Sequence, residues 1–360
     1  MIKQHLPFRL LILTSFICFT PLLTACNQDD SKSEVATPSK SSQEIHYENT
    51  GFDAKRGAQL SSLFKKLTNN TKWNFTKEIK MKWLGGHPQG LVKVGDYYYV
   101  STVNILEPTV KYPQPIDNYD RSTGAGNGYL IKFDSEGNKI KEIPIGKNTQ
   151  YHPGGIDFDG KYIWVTTAEY RPNSSSTIWR INTQTDVAEA LFSYPDHLGG
   201  ISRNVDNNSL ITNSWGSRRF YSFNLDSSMK NSKESSISPA ELSQPNTSFF
   251  IDFQDTKYLG NNEMLATGLS SYQINSSSTN TPIGGLEIID LKTMKPIWQV
   301  PIKVWSPITN RSMLNNPTWW EATDKGGLRG YWMPDDDADT TLYIYETDTL
   351  PDSNCFACKK

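Results

Sequence analysis

The chain has 360 residues, of which 36% are hydrophobic and 12% aromatic, and its formal net charge is −2. This length accommodates one large domain or two smaller ones, and the apolar fraction is sufficient for a buried core. A protein that binds nucleic acid presents a basic face to the phosphates, so the near-neutral charge argues against a nucleic-acid partner.

The first 25 residues are predicted to be a targeting segment, not part of the fold. Lys3 and Arg9 give this segment a positive start, and the apolar stretch 10–23 is shorter than a membrane-spanning helix requires. Residues 23–26 read Leu-Thr-Ala-Cys, which resembles the bacterial lipobox. An ordinary secretory signal with an incidental cysteine is the alternative.

The lipobox resemblance predicts that Cys26 is lipidated and begins the mature protein, which makes the membrane a partner through a lipid anchor. Residues 26–50 are rich in Ser, Lys, Glu and Pro, and we expect a disordered tether there. The residue that follows the cysteine is Asn27 and not an Asp. By resemblance to Gram-negative sorting rules, this favours the outer membrane. The expected location is therefore the cell envelope, with the domain in the periplasm or outside the cell.

Residues 51–350 are predicted to form one all-β domain, a β-propeller. Three segments share a histidine, a glycine, a short strand, a tight turn and a second strand, and they begin at His87, His152 and His197. The Asp159-Gly160 turn in the second segment is the strongest hairpin signal in the chain. Short strands repeated at long intervals indicate a propeller.

Counting strands gives five blades, whose first strands begin near residues 90, 155, 200, 249 and 319. Six blades are the alternative, if residues 226–246 or 302–316 contain strands. The last blade lacks an outer strand, and segment 73–83 has no hairpin partner. We therefore expect segment 73–83 to pair with 341–347 and close the ring. Apolar residues at helical spacing also predict a helix within 52–68.

The links between strands predict where function lies. Links between first and second strands are short, whereas those between second and third strands are long, such as 104–127 and 270–282. In a propeller these two kinds of link lie on opposite faces, and long loops on a rigid scaffold usually carry function. The three histidines begin first strands, so we expect them on the long-loop face, beside the central channel.

His87, His152 and His197 are the histidines of the predicted domain, and each holds the same position in its repeat. The matching position is Asn316 in the fifth blade and lies near Thr247 in the fourth. Such a ring of imidazoles would hold a divalent metal, or an anionic or carbonyl-bearing ligand. Alternatively, each histidine is architectural and bonds the backbone of a neighbouring blade.

Further polar residues follow second strands and are expected at the channel mouth. Glu169, Arg171, Asn213 and Arg218, together with Asn316, are the candidate ligand-binding residues. Glu169 would serve as a general base or ligand, and Arg218 would bind a carboxylate through two hydrogen bonds. A loop salt bridge is the alternative for each.

Other signals are absent or weak. The chain contains no Gly-x-Ser-x-Gly elbow, phosphate-binding loop or His-Glu-x-x-His motif. The acidic run 335–339 lacks the calcium-loop pattern and predicts a solvated turn. Cys355 and Cys358 form a C-x-x-C in the C-terminal tail 351–360, which favours a terminal disulfide or a frayed tail over redox catalysis.

Three features together resemble a family of secreted bacterial propeller proteins of unknown function, over about residues 73–348. They are the His-Pro-x-Gly-hydrophobic repeats, the Tyr-Pro-x-Pro-x-Asp of 112–117 and the Asn-Ser-Trp-Gly of 213–216. The repeats are also loosely similar to NHL and gluconolactonase-type propellers. Enzymes of the latter type bind Ca²⁺ through acidic and Asn residues, whereas this chain has histidines there, which argues against lactonase chemistry.

Two functions follow from these patterns. The first is a binding or scaffold module of the cell envelope that engages a small molecule, glycan or protein on its loop-rich face. The alternative is a metal-assisted hydrolase or lyase that uses the histidine cluster, with a divalent metal as the implied cofactor. The sequence shows no nucleophile or acid/base pair, which favours the binding module.

Overall fold

A computed structural model describes residues 54–273 and 281–351. The predictions for the targeting segment, the tether, Cys26 and the pair Cys355 and Cys358 lie outside the described residues. Within the described ranges, no helix has the length and apolar character needed to cross a membrane.

Five antiparallel sheets confirm the five-bladed propeller. The described chain begins with α1 (Ala54–Phe64) and β1 (Trp73–Lys80). Blade one consists of β2 (His87–Val94), β3 (Tyr97–Glu107), β6 (Ala125–Phe133) and β7 (Lys139–Asn148); the hairpin of β4 (Lys111–Ile116) and β5 (Tyr119–Arg121) is inserted between β3 and β6. Blade two consists of β8 (His152–Pro153), β9 (Asp157–Phe158), β10 (Tyr162–Ala168), β11 (Ser176–Asn182) and β12 (Val187–Tyr194).

The remaining blades follow the same meander. Blade three consists of β13 (Leu198–Asn204), β14 (Ser209–Ser214), β15 (Arg219–Asn224) and, after the short helix α2 (Pro239–Leu242), β16 (Gln244–Pro245). Blade four consists of β17 (Asp252–Gly260), β18 (Glu263–Tyr272), β19 (Thr281–Asp290) and β20 (Lys295–Ile302). Blade five consists of β21 (Thr318–Ala322), β22 (Leu328–Trp332), β23 (Thr341–Thr347) and β1.

The tight turn of blade two shows how local sequence sets the hairpins. Gly160 has a φ of 98°, a conformation that favours glycine. The Asp159 carboxylate accepts hydrogen bonds from the backbone N–H groups of Lys161 and Tyr162 at 2.9 and 2.7 Å. The predicted hairpin is thus confirmed, with the aspartate stabilising the turn that the glycine permits.

The ring is closed by the N-terminal strand, as predicted. β1 pairs antiparallel with β23 from Trp73↔Thr347 to Lys80↔Thr341. The last blade therefore combines three strands from the end of the domain with one from its beginning. This pairing covers the backbone edge that β23 would otherwise expose.

The hydrophobic core is divided among the five joints between blades. One buried cluster lies at each joint. A representative pair of residues from each cluster is Val92 with Ile163 (blades one and two), Trp164 with Leu210 (two and three), Ile211 with Phe253 (three and four), Leu286 with Trp320 (four and five), and Tyr331 with Val100 (five and one). The inner strands are buried on both faces because each packs against two neighbouring blades. The helix α1 adds Leu60, Phe64 and their neighbours to the four–five cluster.

Two buried carboxylates tie the inner strands together at the axis. Asp255 accepts hydrogen bonds from the backbone N–H groups of blades one, two and five, at Leu91 (3.1 Å), Ile156 (3.1 Å) and Thr318 (3.2 Å). Asp157, in blade two, accepts those of blade three at Arg203 (2.8 Å) and blade four at Tyr258 (3.0 Å). All five blades are therefore joined through these two side chains.

The close approach at the axis explains the repeated glycine. A Cβ at Gly155 would lie 2.8 Å from Asp255 Oδ1, and a Cβ at Gly90 would lie 2.5 Å from the Ile156 nitrogen. Any larger residue would push the inner strands apart. The glycine of the motif is thus architectural.

Several predicted boundaries were wrong. The first strand of blade four begins at Asp252 and not near residue 249. The helix predicted within 52–68 is confirmed as α1. The fourth strand of blade three has only two residues, because most of 226–243 forms short helices and turns. The five sheets account for the blades. Among the described residues, 226–246 contribute only β16 and an isolated bridge, and 303–316 contribute only an isolated bridge, so the six-blade alternative is wrong.

Candidate ligand pocket

A pocket of about 360 Å³ opens on the face that carries the long links. This volume lies within the range of small-molecule sites. Residues from all five blades form its wall: His87, Gln89, His152, Tyr170, His197, Gly199, Asn213, Ser214, Trp215, Gly216, Asp252, Phe253, Gln254, Asn315 and Asn316. The predicted histidine position and the predicted face therefore meet in one cavity.

The three histidines all line this pocket. The ring centroids of His87 and His152 are 6.0 Å apart, while the ring of His197 packs edge-on against Trp215 at 4.8 Å. Within residues 54–273 and 281–351, no group of three His, Cys, Asp or Glu side chains is arranged to hold a metal ion. The residues as placed therefore do not fit a three-imidazole metal site, and a metal role for the histidines stays a prediction.

His152 is one of two buried imidazoles in the pocket wall. Its ring stacks on Tyr170 with a centroid distance of 4.2 Å, and its Nε2 is buried without a hydrogen-bond partner. Burial lowers the pKa of His152 well below its ordinary value, and the nearby His87 and His197 lower it further. The ring is therefore neutral at physiological pH.

His197 is held in one orientation by the backbone. Its Nδ1 lies 2.8 Å from the carbonyl oxygen of Glu169, so Nδ1–H donates and Nε2 carries the lone pair. Burial lowers the pKa of His197 to about 4, although the Glu169 carbonyl acts in the opposite direction. Glu169 belongs to blade two and His197 to blade three. This contact is therefore of the architectural kind, in which a histidine bonds the backbone of a neighbouring blade.

His87 is oriented by a carboxylate from blade five. Its Nδ1 lies 2.9 Å from Asp336 Oδ1, and Asp336 also receives hydrogen bonds from Arg311 and Asn316. Burial raises the pKa of Asp336, but the hydrogen bonds from His87 and Arg311 outweigh it and bring the pKa to about 2. The acidic run 335–339 is thus only partly a solvated turn, since Asp335 is buried and Asp336 supports the pocket wall.

The strand register corrects the position assigned to blade four. A one-residue bulge interrupts the first strand of blades one, three and four, between Pro88 and Gly90, Leu198 and Gly200, and Phe253 and Asp255. The residues that directly precede Pro88, Leu198 and Phe253 at these bulges are His87, His197 and Asp252. Asp252 therefore holds the histidine position, and Thr247 is exposed in the preceding link.

The predicted ligand-binding residues divide into two groups. Asn213 and Asn316 line the pocket. Arg171 donates to Glu169 at 2.8 Å, and Arg218 donates to Asp252 Oδ1 at 2.8 Å. Glu169, Arg171 and Arg218 are not among the lining residues, whereas Asp252 is. The salt-bridge alternative describes these three residues, and a role in binding stays a prediction.

Sequence reasoning missed several lining residues. Tyr170 and Asn315 lie in links, where no periodic pattern marks them. Gln89 and Gln254, however, occupy the same bulge position in blades one and four, directly after Pro88 and Phe253. Aligning the repeats through their bulges would have found both glutamines.

Fold and site together define a five-bladed β-propeller with a polar, aromatic-lined pocket at one end of its channel. Residues 55–351 match the model of a family of unknown function, DUF6454. The chain belongs to this family, and the resemblance inferred from the repeats is confirmed. No curated protein matches the chain.

Three solved structures are similar to this chain at low identity. A luciferin-regenerating enzyme has 11% identity and a TM-score of 0.41, with 76% of this chain and 95% of that chain covered. A tail fiber of Staphylococcus aureus phage P68 has 11% identity and a TM-score of 0.44, covering 81% and 56%. Kuenenia stuttgartiensis hydrazine synthase has 10% identity and a TM-score of 0.35, covering 71% and 57%. The chain thus spans little more than half of the last two.

Proposed function

We propose that this protein is a lipid-anchored binding module of the cell envelope, whose pocket on the long-loop face takes a small ligand. The observation that carries the proposal is the pair of unsatisfied polar atoms in the pocket wall. His152 Nε2 and Asn316 Oδ1 are buried and have no hydrogen-bond partner. Such an atom costs about 1–3 kcal/mol, and a bound ligand, or water held by it, would supply the partner.

Exposed apolar side chains on the same face also support the proposal. Most of the large apolar side chains that are exposed in the described residues lie in its links or at its strand ends: Leu84, Ile105, Leu106, Val110, Ile116, Phe249, Tyr272, Trp305 and Ile308. A concentration of exposed apolar side chains on one face is typical of interaction surfaces. The remaining exposed apolar side chains are scattered over the outer strands and the opposite links.

Ligand binding is tested by thermal unfolding of the full chain against a chemically diverse small-molecule library. A ligand that binds only the folded state, at about 100 times its Kd, stabilises that state by about 2.7 kcal/mol. We expect compounds that raise the melting temperature of the wild type to lose this effect on Gln254→Ala, which alters the pocket wall. They should keep it on Phe249→Ser, which alters the same face outside the pocket. Stabilisation that survives in Gln254→Ala would contradict the pocket as the binding site.

The lipid anchor is supported by the Leu-Thr-Ala-Cys motif after a short apolar stretch. Replacing the cysteine as Cys26→Ser should move the protein from the membrane to the soluble fraction, because stable anchoring depends on the acyl chains. Cys355→Ser is the matched control and should leave fractionation unchanged. If Cys26→Ser stays in the membrane fraction, the anchor assignment is wrong.

One observation favours the metal-assisted hydrolase or lyase as a second candidate. The 2.9 Å contact between His87 Nδ1 and Asp336 is the carboxylate–histidine arrangement that orients an imidazole for metal binding or for general-base chemistry. Metal analysis of protein purified without a histidine tag tests it, with melts in added Zn²⁺, Mn²⁺ or Ca²⁺. A metal-dependent rise in melting temperature that is lost in His87→Ala would support this candidate, and its absence in the wild type would count against it.

A further inference from the structure

The amide side chains of the pocket wall donate their N–H groups to other protein atoms and not to the pocket. Asn316 Nδ2 donates to Asp336 and to the carbonyl of Pro334, and Asn315 Nδ2 donates to the same carbonyl at 3.2 Å. Gln89 Nε2 donates to the carbonyl of Pro88 at 3.0 Å. Since a carboxylate or carbonyl oxygen only accepts, these contacts fix which end of each amide is the oxygen. The amide oxygens are thus the atoms left for a ligand.

The imidazoles add to this surplus of acceptors. His197 donates through Nδ1 to the Glu169 carbonyl, which leaves Nε2 as an acceptor. His152 Nε2 has no partner and belongs to a neutral ring, so it accepts or donates according to the tautomer of that ring. A ligand that suits this wall therefore brings several hydrogen-bond donors of its own.

The charges near the pocket are compensated by one another. Arg218 pairs with Asp252 at 2.8 Å, and Arg121 pairs with Asp120 at 2.8 Å. Arg171 pairs with Glu169 at 2.8 Å, and the Arg311–Asp336 contact completes the set. An anionic or cationic ligand would have to compete with a formed ion pair for its counter-charge, so the wall suits an uncharged ligand.

Aromatic rings supply the apolar part of the wall. Tyr170 and Trp215 both line the pocket and lie 5.1 Å apart, centroid to centroid. A sugar ring combines hydroxyl donors around its edge with an apolar C–H face, which packs against aromatic rings. The bare acceptors and the paired aromatic rings match these two features in one cavity.

We propose that the pocket binds an uncharged carbohydrate, whose hydroxyl groups donate to the Asn316, Gln89 and His197 acceptors and whose ring packs against Trp215 and Tyr170. This inference rests on the proposed binding function and narrows its ligand to one chemical class.

The test is a binding screen of the full chain, by tryptophan fluorescence and calorimetry, against three sets of probes. These are neutral mono- and oligosaccharides, the corresponding uronic acids and sugar phosphates, and alkyl ammonium compounds. We expect saturable binding in the neutral set, with affinity at least about tenfold weaker for Trp215→Ala, or about 1.4 kcal/mol. Trp215→Phe should bind within about threefold of wild type, because it keeps an aromatic ring.

The control is Trp305→Ala, which removes a tryptophan from a link on the same face but outside the pocket wall; it should bind as the wild type does. Binding confined to the charged probes, and weakened by Trp215→Ala, would overturn the carbohydrate inference while supporting a small-molecule pocket. Neutral sugars that bind equally well to Trp215→Ala would overturn the site assignment. If no probe set binds the wild type, the carbohydrate inference is wrong, and the library melts decide the broader proposal.

Discussion

The buried carboxylate at the axis offers a sharp test of how this ring is held together. Asp255 accepts backbone hydrogen bonds from three other blades and forms an ion pair with Lys257, whose Nζ lies 2.5 Å from Asp255 Oδ1. Replacing it as Asp255→Ala removes the shared acceptor of Leu91, Ile156 and Thr318. The substitution takes away little apolar contact, so its effect reports on polar interactions.

The expected loss is dominated by the charge left behind. Both side chains of the pair are almost completely buried, and removing one partner of a buried ion pair costs about 3–5 kcal/mol. Each backbone N–H left without an acceptor adds about 1–3 kcal/mol where water cannot reach it. Lys257 keeps a hydrogen bond to the carbonyl of Ile156 at 2.6 Å, which offsets part of the loss. We expect the free energy of unfolding to fall by at least about 4 kcal/mol.

Urea unfolding of the full chain, followed by tryptophan fluorescence, measures this loss. Asp96→Ala is the matched control, because it removes an exposed turn aspartate and should change stability by less than about 0.5 kcal/mol. The double variant Asp255→Ala/Lys257→Met removes both charges and should recover at least about 1 kcal/mol of the sum of the single losses. A loss below about 1 kcal/mol for Asp255→Ala, or strictly additive singles, would refute the role assigned to this carboxylate.

Three further predictions follow from the same structure. Deleting residues 46–83 removes the closing strand and should abolish the cooperative thermal transition; a truncated protein that melts like the full chain would refute ring closure. Burial lowers the pKa of His197 from 6.5 to about 4, so its stabilising contribution is present above pH 6.5 and is lost as the pH falls through 4. Relative to His197→Gln, the wild type should lose about 3 kcal/mol of unfolding free energy across this window, as measured by urea titrations. Burial raises the pKa of Asp157 from 3.8 to about 7, so its contribution to stability has the opposite pH dependence: it is present below pH 3.8 and is lost as the pH rises through 7. Asp157→Asn should remove this pH dependence of the unfolding free energy, and parallel pH curves for variant and wild type would contradict the prediction.

The fold could be predicted because each blade repeats its own local signals. The Asp159-Gly160 turn, the alternating short strands and the unpaired segment 73–83 each required the same architecture, and the structure agrees with all three. The axial carboxylates could not be predicted in this way. Asp255 lies at the position that Gly90, Gly155 and Gly200 occupy in other blades, and its partners are backbone N–H groups far away in sequence.

The site was predictable to the level of its face and its histidines, but not in its chemistry. The repeat placed His87, His152 and His197 at one channel mouth, yet a repeat does not report burial or distance. Their partners include Tyr170, which stacks on His152, and Asp336, which contacts His87, and both belong to irregular links. Whether three imidazoles can bind one metal ion depends on the distances between them in the folded protein, and the sequence does not give those distances.

The other end of the channel bears on how a ligand reaches this pocket. The helix α1 covers that end, where Leu60, Phe64 and Trp320 surround a cavity of only about 40 Å³. Between the two ends, the Asp255–Lys257 pair fills the axis and is bonded to the inner strands. A cavity of this size has room for little more than water, so we expect a ligand to enter and leave through the long-loop face. A polymeric glycan would therefore bind by its end or lie across the opening, and short oligosaccharides should bind as tightly as long ones.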